Sequence, residues 1–199
     1  MTRLSANRSK GFTLVEVFVS LALTALLLVS LAQVIHSCWR YLNQTTLTTE
    51  LQQACVIGTS RLVTELLESD GVSIRGDSLQ QRYVSFGCAR NAKGDTTFSA
   101  AGDLQWHSYT GYYIMPDGDE WVLYRKEKPL DAPQDFPPTI PNNYDEVFWN
   151  GFPAARSMVA KRIYYLDVVS STTVDVILAA KSRDNQFNVN IKTKLKARN

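Results

Sequence analysis

The sequence predicts an α+β fold in which one long N-terminal helix lies on an antiparallel β-sheet. Three observations predict it. From Phe12 to Ile35 the chain is apolar, and Glu16 is its one ionisable side chain. No proline occurs between Phe12 and Pro116. Beyond Gly71 the period of the apolar residues shifts from that of a helix to that of a strand.

The helix comes first. Phe12 to Ile35 is about 24 residues, or roughly 36 Å at about 1.5 Å per residue, enough for a bilayer core of about 30 Å. Arg3, Arg8 and Lys10 precede the run, which predicts a cytoplasmic N-terminus. Trp39, Arg40 and Tyr41 follow it and suit the far interface. From Leu47 a stripe continues through Leu51, Cys55, Gly58, Leu62 and Leu66, with Ala54 and Val63 beside it. Steps of three and four place these on one helical face. Glu50, Gln53, Arg61, Thr64, Glu65 and Glu68 fall on the other faces, so Glu65 is expected to be off the buried stripe. Asn43, Thr45 and Thr46 are weak helix formers and interrupt the pattern. Ser69-Asp70-Gly71 ends it, with Gly71 at the C′ position.

Strands follow. Tyr83 to Cys88 alternates, Leu104 to Met115 is aromatic-rich, and Trp121 to Lys126 comes after the turn residues Pro116-Asp117-Gly118-Asp119. Residues 127–160 hold six of the seven prolines and predict a long ordered loop. Ile163 to Val169, Thr173 to Ala179 and Phe187 to Leu195 predict three more strands, joined by polar turns at Ser170-Ser171 and Arg183-Asp184-Asn185. The stripe is expected to pack on Val174, Val176, Leu178, Phe187, Val189 and Ile191.

Composition bounds the rest. The 199 residues carry a net charge of +2, and removing Arg3, Arg8 and Lys10 leaves the remainder near neutral, so nothing demands a polyanionic partner. There is no HExxH, G-x-S-x-G or Walker A motif, and the two histidines, His36 and His107, lack a nucleophile partner in sequence. The chain is expected not to be an enzyme and to need no cofactor. Three cysteines are too few for a disulfide scaffold; Cys55 and Cys88 either pair or remain buried thiols. Asp117 and Asp119 are weak candidates for a hard cation, set against a solvated hairpin turn. Phe136, Tyr144, Phe148, Trp149 and Phe152 make either a partner-contact surface or a satellite core under the loop. The row Lys192, Lys194, Lys196 and Arg198 reads as the wet face of the last strand, with contact to DNA or acidic neighbours as the alternative.

A charge inside an apolar span costs roughly 2.5–3.5 kcal/mol at a helix centre, so Glu16 needs a reason. An ordinary secretory signal is a poor fit, because the run exceeds about 7–15 residues and no A-x-A-like site closes it. A plain single-pass anchor with Glu16 near the interface is the simpler alternative. The stretch Gly11-Phe12-Thr13-Leu14-Val15-Glu16 after a basic leader resembles the class III signal of type IV pilins and pseudopilins. The resemblance implies that a prepilin peptidase cuts between Gly11 and Phe12 and methylates the Phe12 amine. Glu16 then becomes the fifth residue of the mature chain, where that family keeps its invariant glutamate. It also implies residues 1–11 as leader, 12–36 as the transmembrane and assembly helix, and 37–199 as an extracytoplasmic globular domain. The chain would be a single-pass protein of a bacterial inner membrane. Other pilins or pseudopilins, the assembly platform and membrane lipid would be its partners, with nucleic acid only if it serves competence.

Major pilins often carry a proline where Gln33 stands here, a glycine where Ala25 stands, and a C-terminal disulfide loop, whereas the last cysteine here is Cys88. These departures favour a minor subunit. Length and strand layout are similar to a J-type minor pseudopilin or a W-type minor pilin. The functional expectation is a structural subunit of a type II secretion pseudopilus or type IV pilus. The alternative is a fibre-tip module that binds a secretion substrate, a surface or DNA.

Overall fold

The computed structural model describes residues 12–69, 74–76, 82–170, 173–184 and 186–196. Gly11, Gly71, Ser171, Asn185 and Arg198 lie outside the described residues. The chain divides into two units, Met1–Thr46 and Leu47–Asn199. A single helix, α1 (Leu14–Leu67), runs through both. The weak formers around Asn43 do not break it. Extending a formed helix adds one hydrogen bond per residue fixed, so a short run of poor formers costs little.

In the first unit every described side chain, from Phe12 to Thr46, is exposed. The helix there is long and apolar enough to cross a membrane by length and composition. Thr24 and Ser30 turn their hydroxyls back on the carbonyls of Ser20 (2.7 Å) and Leu26 (2.9 Å), so neither presents an unsatisfied donor.

In the second unit α1 packs on two antiparallel sheets rather than the one expected. The larger has the order β1 (Arg75–Gly76), β2 (Tyr83–Cys88), β3 (Trp106–Asp117), β4 (Glu120–Gln134) and β5 (Ser157–Lys161). The smaller has β6 (Ile163–Ser170), β7 (Thr173–Lys181) and β8 (Asn188–Lys196). Leu51, Cys55, Gly58, Leu62 and Leu66 are all buried, as the stripe predicts. The surface beneath them is broader than predicted. At Gly58 the backbone comes so close that an added Cβ would stand 3.2 Å from Leu178 on β7, 3.3 Å from Leu123 on β4 and 3.8 Å from Ala160 on β5. The helix thus covers the seam between the sheets. Val174, Val176 and Leu178 are buried, whereas Phe187, Val189 and Ile191 are half-buried. The helix closes with Ser69, whose hydroxyl and amide both donate to the Leu66 carbonyl, at 2.7 and 3.1 Å.

The chain passes from one sheet to the other through one residue, Arg162, whose φ of 63° is left-handed. That conformation costs a non-glycine residue about 1–2 kcal/mol. Here the side chain is tied down at both ends of its fork, 2.8 Å from Glu50 and 3.3 Å from Glu120.

Residues 127–160 are not one loop. β4 continues to Gln134, and a short helix, α2 (Glu146–Gly151), and β5 occupy the rest. Pro129 is tolerated in β4 beside a register shift at Trp106/Ser108. Asp145 caps α2 by accepting from the Phe148 amide at 2.9 Å. At the other end of α2 the Lys126 ammonium donates to the Phe152 carbonyl at 2.6 Å. Burial, aided by Arg156, holds the Lys126 pKa below the usual lysine value. Trp149 is fully buried and its ring lies directly on Gly111 of β3, where any Cβ would overlap the indole. Its Nε1 donates to the Ser85 hydroxyl at 2.5 Å, and that hydroxyl donates to the Tyr144 carbonyl at 3.2 Å. Tyr144 stacks on Phe148 with centroids 3.9 Å apart. Neither reading of this aromatic group fits as stated: Tyr144 and Trp149 join the main core, Phe148 and Phe152 pack against it, and Phe136 alone of the five stays largely exposed, at 65%.

The sequence reading missed a small repeat between β2 and β3. Asn91-Ala-Lys-Gly-Asp95 and Ser99-Ala-Ala-Gly-Asp103 form the same turn twice. In each, the first side chain accepts two amides: Lys93 and Asp95 on Asn91, Ala101 and Asp103 on Ser99. Gly94 (φ 88°) and Gly102 (φ 87°) supply the left-handed residue both turns need.

Candidate functional site

The first turn of α1 contains a reciprocal cap. Thr13 and Glu16 form the T-x-x-E pattern of a capping box. The Thr13 amide donates to Glu16 Oε2 at 2.8 Å, and the Thr13 hydroxyl donates to the same oxygen at 3.0 Å. The Glu16 amide in turn donates to Thr13 Oγ1 at 3.3 Å. Two otherwise unmatched helix-end amides are thereby satisfied, and the carboxylate gains two hydrogen bonds within its own chain. An acidic group at this end also faces the positive pole of the helix. The charge that looked costly in sequence is partly compensated by local geometry. Thr13 is the residue that sequence reasoning did not single out. Its signal, a threonine three places before a glutamate at the head of an apolar run, was legible.

Phe12 lies at the head of this turn, 83% exposed. Gly11, the other half of the expected cleavage site, lies outside the described residues. Among the described residues, Thr13 is the hydrogen-bond partner of the Glu16 carboxylate.

The other sequence candidates lie in the second unit. All three thiols are free, and Cys55 and Cys88 are buried, the second of the two readings. Cys55 Sγ donates to the Val189 carbonyl at 3.6 Å. Cys88 lines a cavity with Arg61 and Glu65. Burial, slightly offset by the Ala180 backbone, pushes the Cys55 thiol up to about 11, and burial raises Cys88 as well. Asp117 and Asp119 do not converge on a cation site. Asp117 accepts from the Tyr124 hydroxyl at 2.6 Å, and Asp119 pairs with Arg183. Among the described residues no three His, Cys, Asp or Glu side chains group as metal ligands.

The cavity of about 420 Å³ beside Cys88 is built from ion pairs. Arg125 lies 2.9 Å from Glu65 and 3.1 Å from Glu127, with all three side chains at least half-buried. Burial alone would lower the Arg125 pKa, but the two carboxylates outweigh it and raise it. Glu65 therefore lies off the buried stripe, as expected, yet it is half-buried and ion-paired to the sheet through Arg125. Glu68 likewise pairs with Arg90.

Comparison with known families finds one match, and it covers the N-terminal turn. Residues 6–32 match the prokaryotic N-terminal methylation motif. The chain is thus type IV pilin-like at its N-terminus. That signal implies processing by a prepilin peptidase and assembly with other pilins. It is a structural-subunit signal and not the mark of an enzyme family. Searches of curated proteins and of solved structures return no match. The long apolar helix on antiparallel sheets agrees with the type IV pilin fold.

Proposed function

We propose that the chain is a minor pilin or pseudopilin, cut between Gly11 and Phe12 and N-methylated on Phe12. It serves as a low-copy structural subunit of a type II secretion pseudopilus or type IV pilus. The observation that carries this reading is the motif match over residues 6–32 together with the capped Glu16 inside the apolar helix. Residues 12–36 anchor the subunit in the inner membrane, and the domain that follows is extracytoplasmic. In a membrane the Thr13–Glu16 cap keeps the carboxylate hydrogen-bonded before assembly. Cleavage frees the Phe12 amine, and in the fibre Glu16 pairs with that amine on a neighbouring subunit. In lipid neither charge has a better partner. The exposed helix faces add packing between subunits. The J-type and W-type minor subunits remain the best fit, on strand layout and on the absence of a proline at Gln33.

Glu16→Val tests the reading. The variant should insert in the membrane at least as well, because a costly charge is gone, and should be processed, yet be absent from sheared fibres. Normal incorporation would leave Glu16 a bystander and favour the plain anchor.

A further inference from the structure

β8 ends the smaller sheet: β7 pairs with it on one side, and among the described residues no strand pairs with it on the other. Helix α1 reaches its beginning, where the Cys55 thiol donates to the Val189 carbonyl. From Ile191 to Lys196 the outer edge offers main-chain donors and acceptors to whatever approaches.

Two side-chain rows flank that edge. Ile191, Thr193 and Leu195 face the same way as the buried β7 row, yet they are only half-buried. Their cross-strand partners Leu178, Val176 and Val174 are at most 3% exposed. The apolar layer therefore reaches β8, where Ile191 and Leu195 pack against the core but are only half covered. The opposite row, Lys192, Lys194 and Lys196, is exposed. One carboxylate, Asp175, serves two of them, 3.4 Å from Lys192 and 3.6 Å from Lys194.

We propose that the open edge of β8 is a docking site for an extended segment of a partner protein in which apolar residues alternate with aspartate or glutamate. The main chain of that segment pairs with Ile191–Lys196. Its apolar residues cover Ile191 and Leu195, and its carboxylates lie beside the lysines. A second copy of this chain does not fit. Antiparallel pairing of two β8 strands sets lysine beside lysine, which is destabilising. Lysines on edge strands commonly guard against such self-pairing. Here the same charges that reject a copy select an acidic strand. The proposal goes beyond the fibre reading and does not depend on it, because its test needs no assembly.

The test is amide hydrogen exchange on the full chain in detergent micelles, with a peptide of four Val-Glu repeats, a peptide of four Val-Lys repeats, and an oligothymidylate. The Val-Glu peptide should slow exchange at Ile191–Lys196 at least tenfold, and the Val-Lys peptide should not. In K192E/K194E/K196E the preference should reverse. No protection by either peptide, equal protection by both, or binding of the oligothymidylate to the lysines without edge protection would each overturn the proposal.

Discussion

Thr13 and Glu16 show what two side chains three residues apart can settle. Each satisfies an amide at the helix start, and together they keep a carboxylate hydrogen-bonded in an apolar segment. Thr13→Ala should cost about 1 kcal/mol at the first turn, the usual worth of a cap. Amide exchange at Glu16 and its neighbours in bicelles should then quicken roughly fivefold; unchanged protection would mean that the cap does not hold the turn. Gly111 makes the complementary point in the second unit. Gly111→Ala puts a Cβ into the Trp149 ring and should cost about 1–3 kcal/mol, the range for overpacking a tight core. In Trp149→Ala the same glycine change should cost far less, because the obstructing ring is gone. Equal costs in both backgrounds, measured by denaturant unfolding, would contradict the contact. The thiols make a third case. Burial keeps Cys55 protonated up to about pH 11 in the folded protein, whereas an unfolded cysteine ionises near 8.5. The folded state therefore holds more protons in that window, and stability should fall as pH rises from about 8.5 to 11. Cys55→Ala should flatten that slope in pH-dependent melts; an unaltered slope would count against the burial.

At the scale of elements, α1 carries two different physical tasks along one continuous helix. Its stripe from Leu51 to Leu66 was legible because three- and four-residue spacing is a property of the helix alone. Leu62, fully buried, should not tolerate aspartate, which would put an unpaired charge in the core and unfold the domain. Glu65 was not legible. Its position on the helical wheel is polar, but the partner it pairs with, Arg125, is 60 residues away on β4. Glu65→Lys should cost about 2–4 kcal/mol, between an exposed pair and a fully buried one, because it sets a second cation against Arg125. A change under 0.5 kcal/mol in thermal melts would return Glu65 to solvent. The same logic explains the strands. β2, β6, β7 and β8 were readable from period two. The end of β4 and β5 were hidden by prolines and by the lack of alternation. The strands divide into two sheets at Arg162, whose left-handed φ and ion pairs with the distant Glu50 and Glu120 leave no mark in local sequence.

For the whole molecule, the central claim is that an apolar helix with a capped glutamate is an assembly element, and that the globular unit is the part it carries. The turn from Thr13 to Glu16 and the motif match over residues 6–32 were fully present in the sequence, because that signal is a contiguous string. The ion-paired cavity, the Trp149 lock and the open β8 edge were not, because each joins residues from distant parts of the chain. The claim meets its most direct test at the N-terminus of the protein recovered from membranes that contain a prepilin peptidase. Mass spectrometry of the terminal peptide should find a chain beginning at N-methylated Phe12. An intact Met1, or a cut beyond residue 30, would contradict the account.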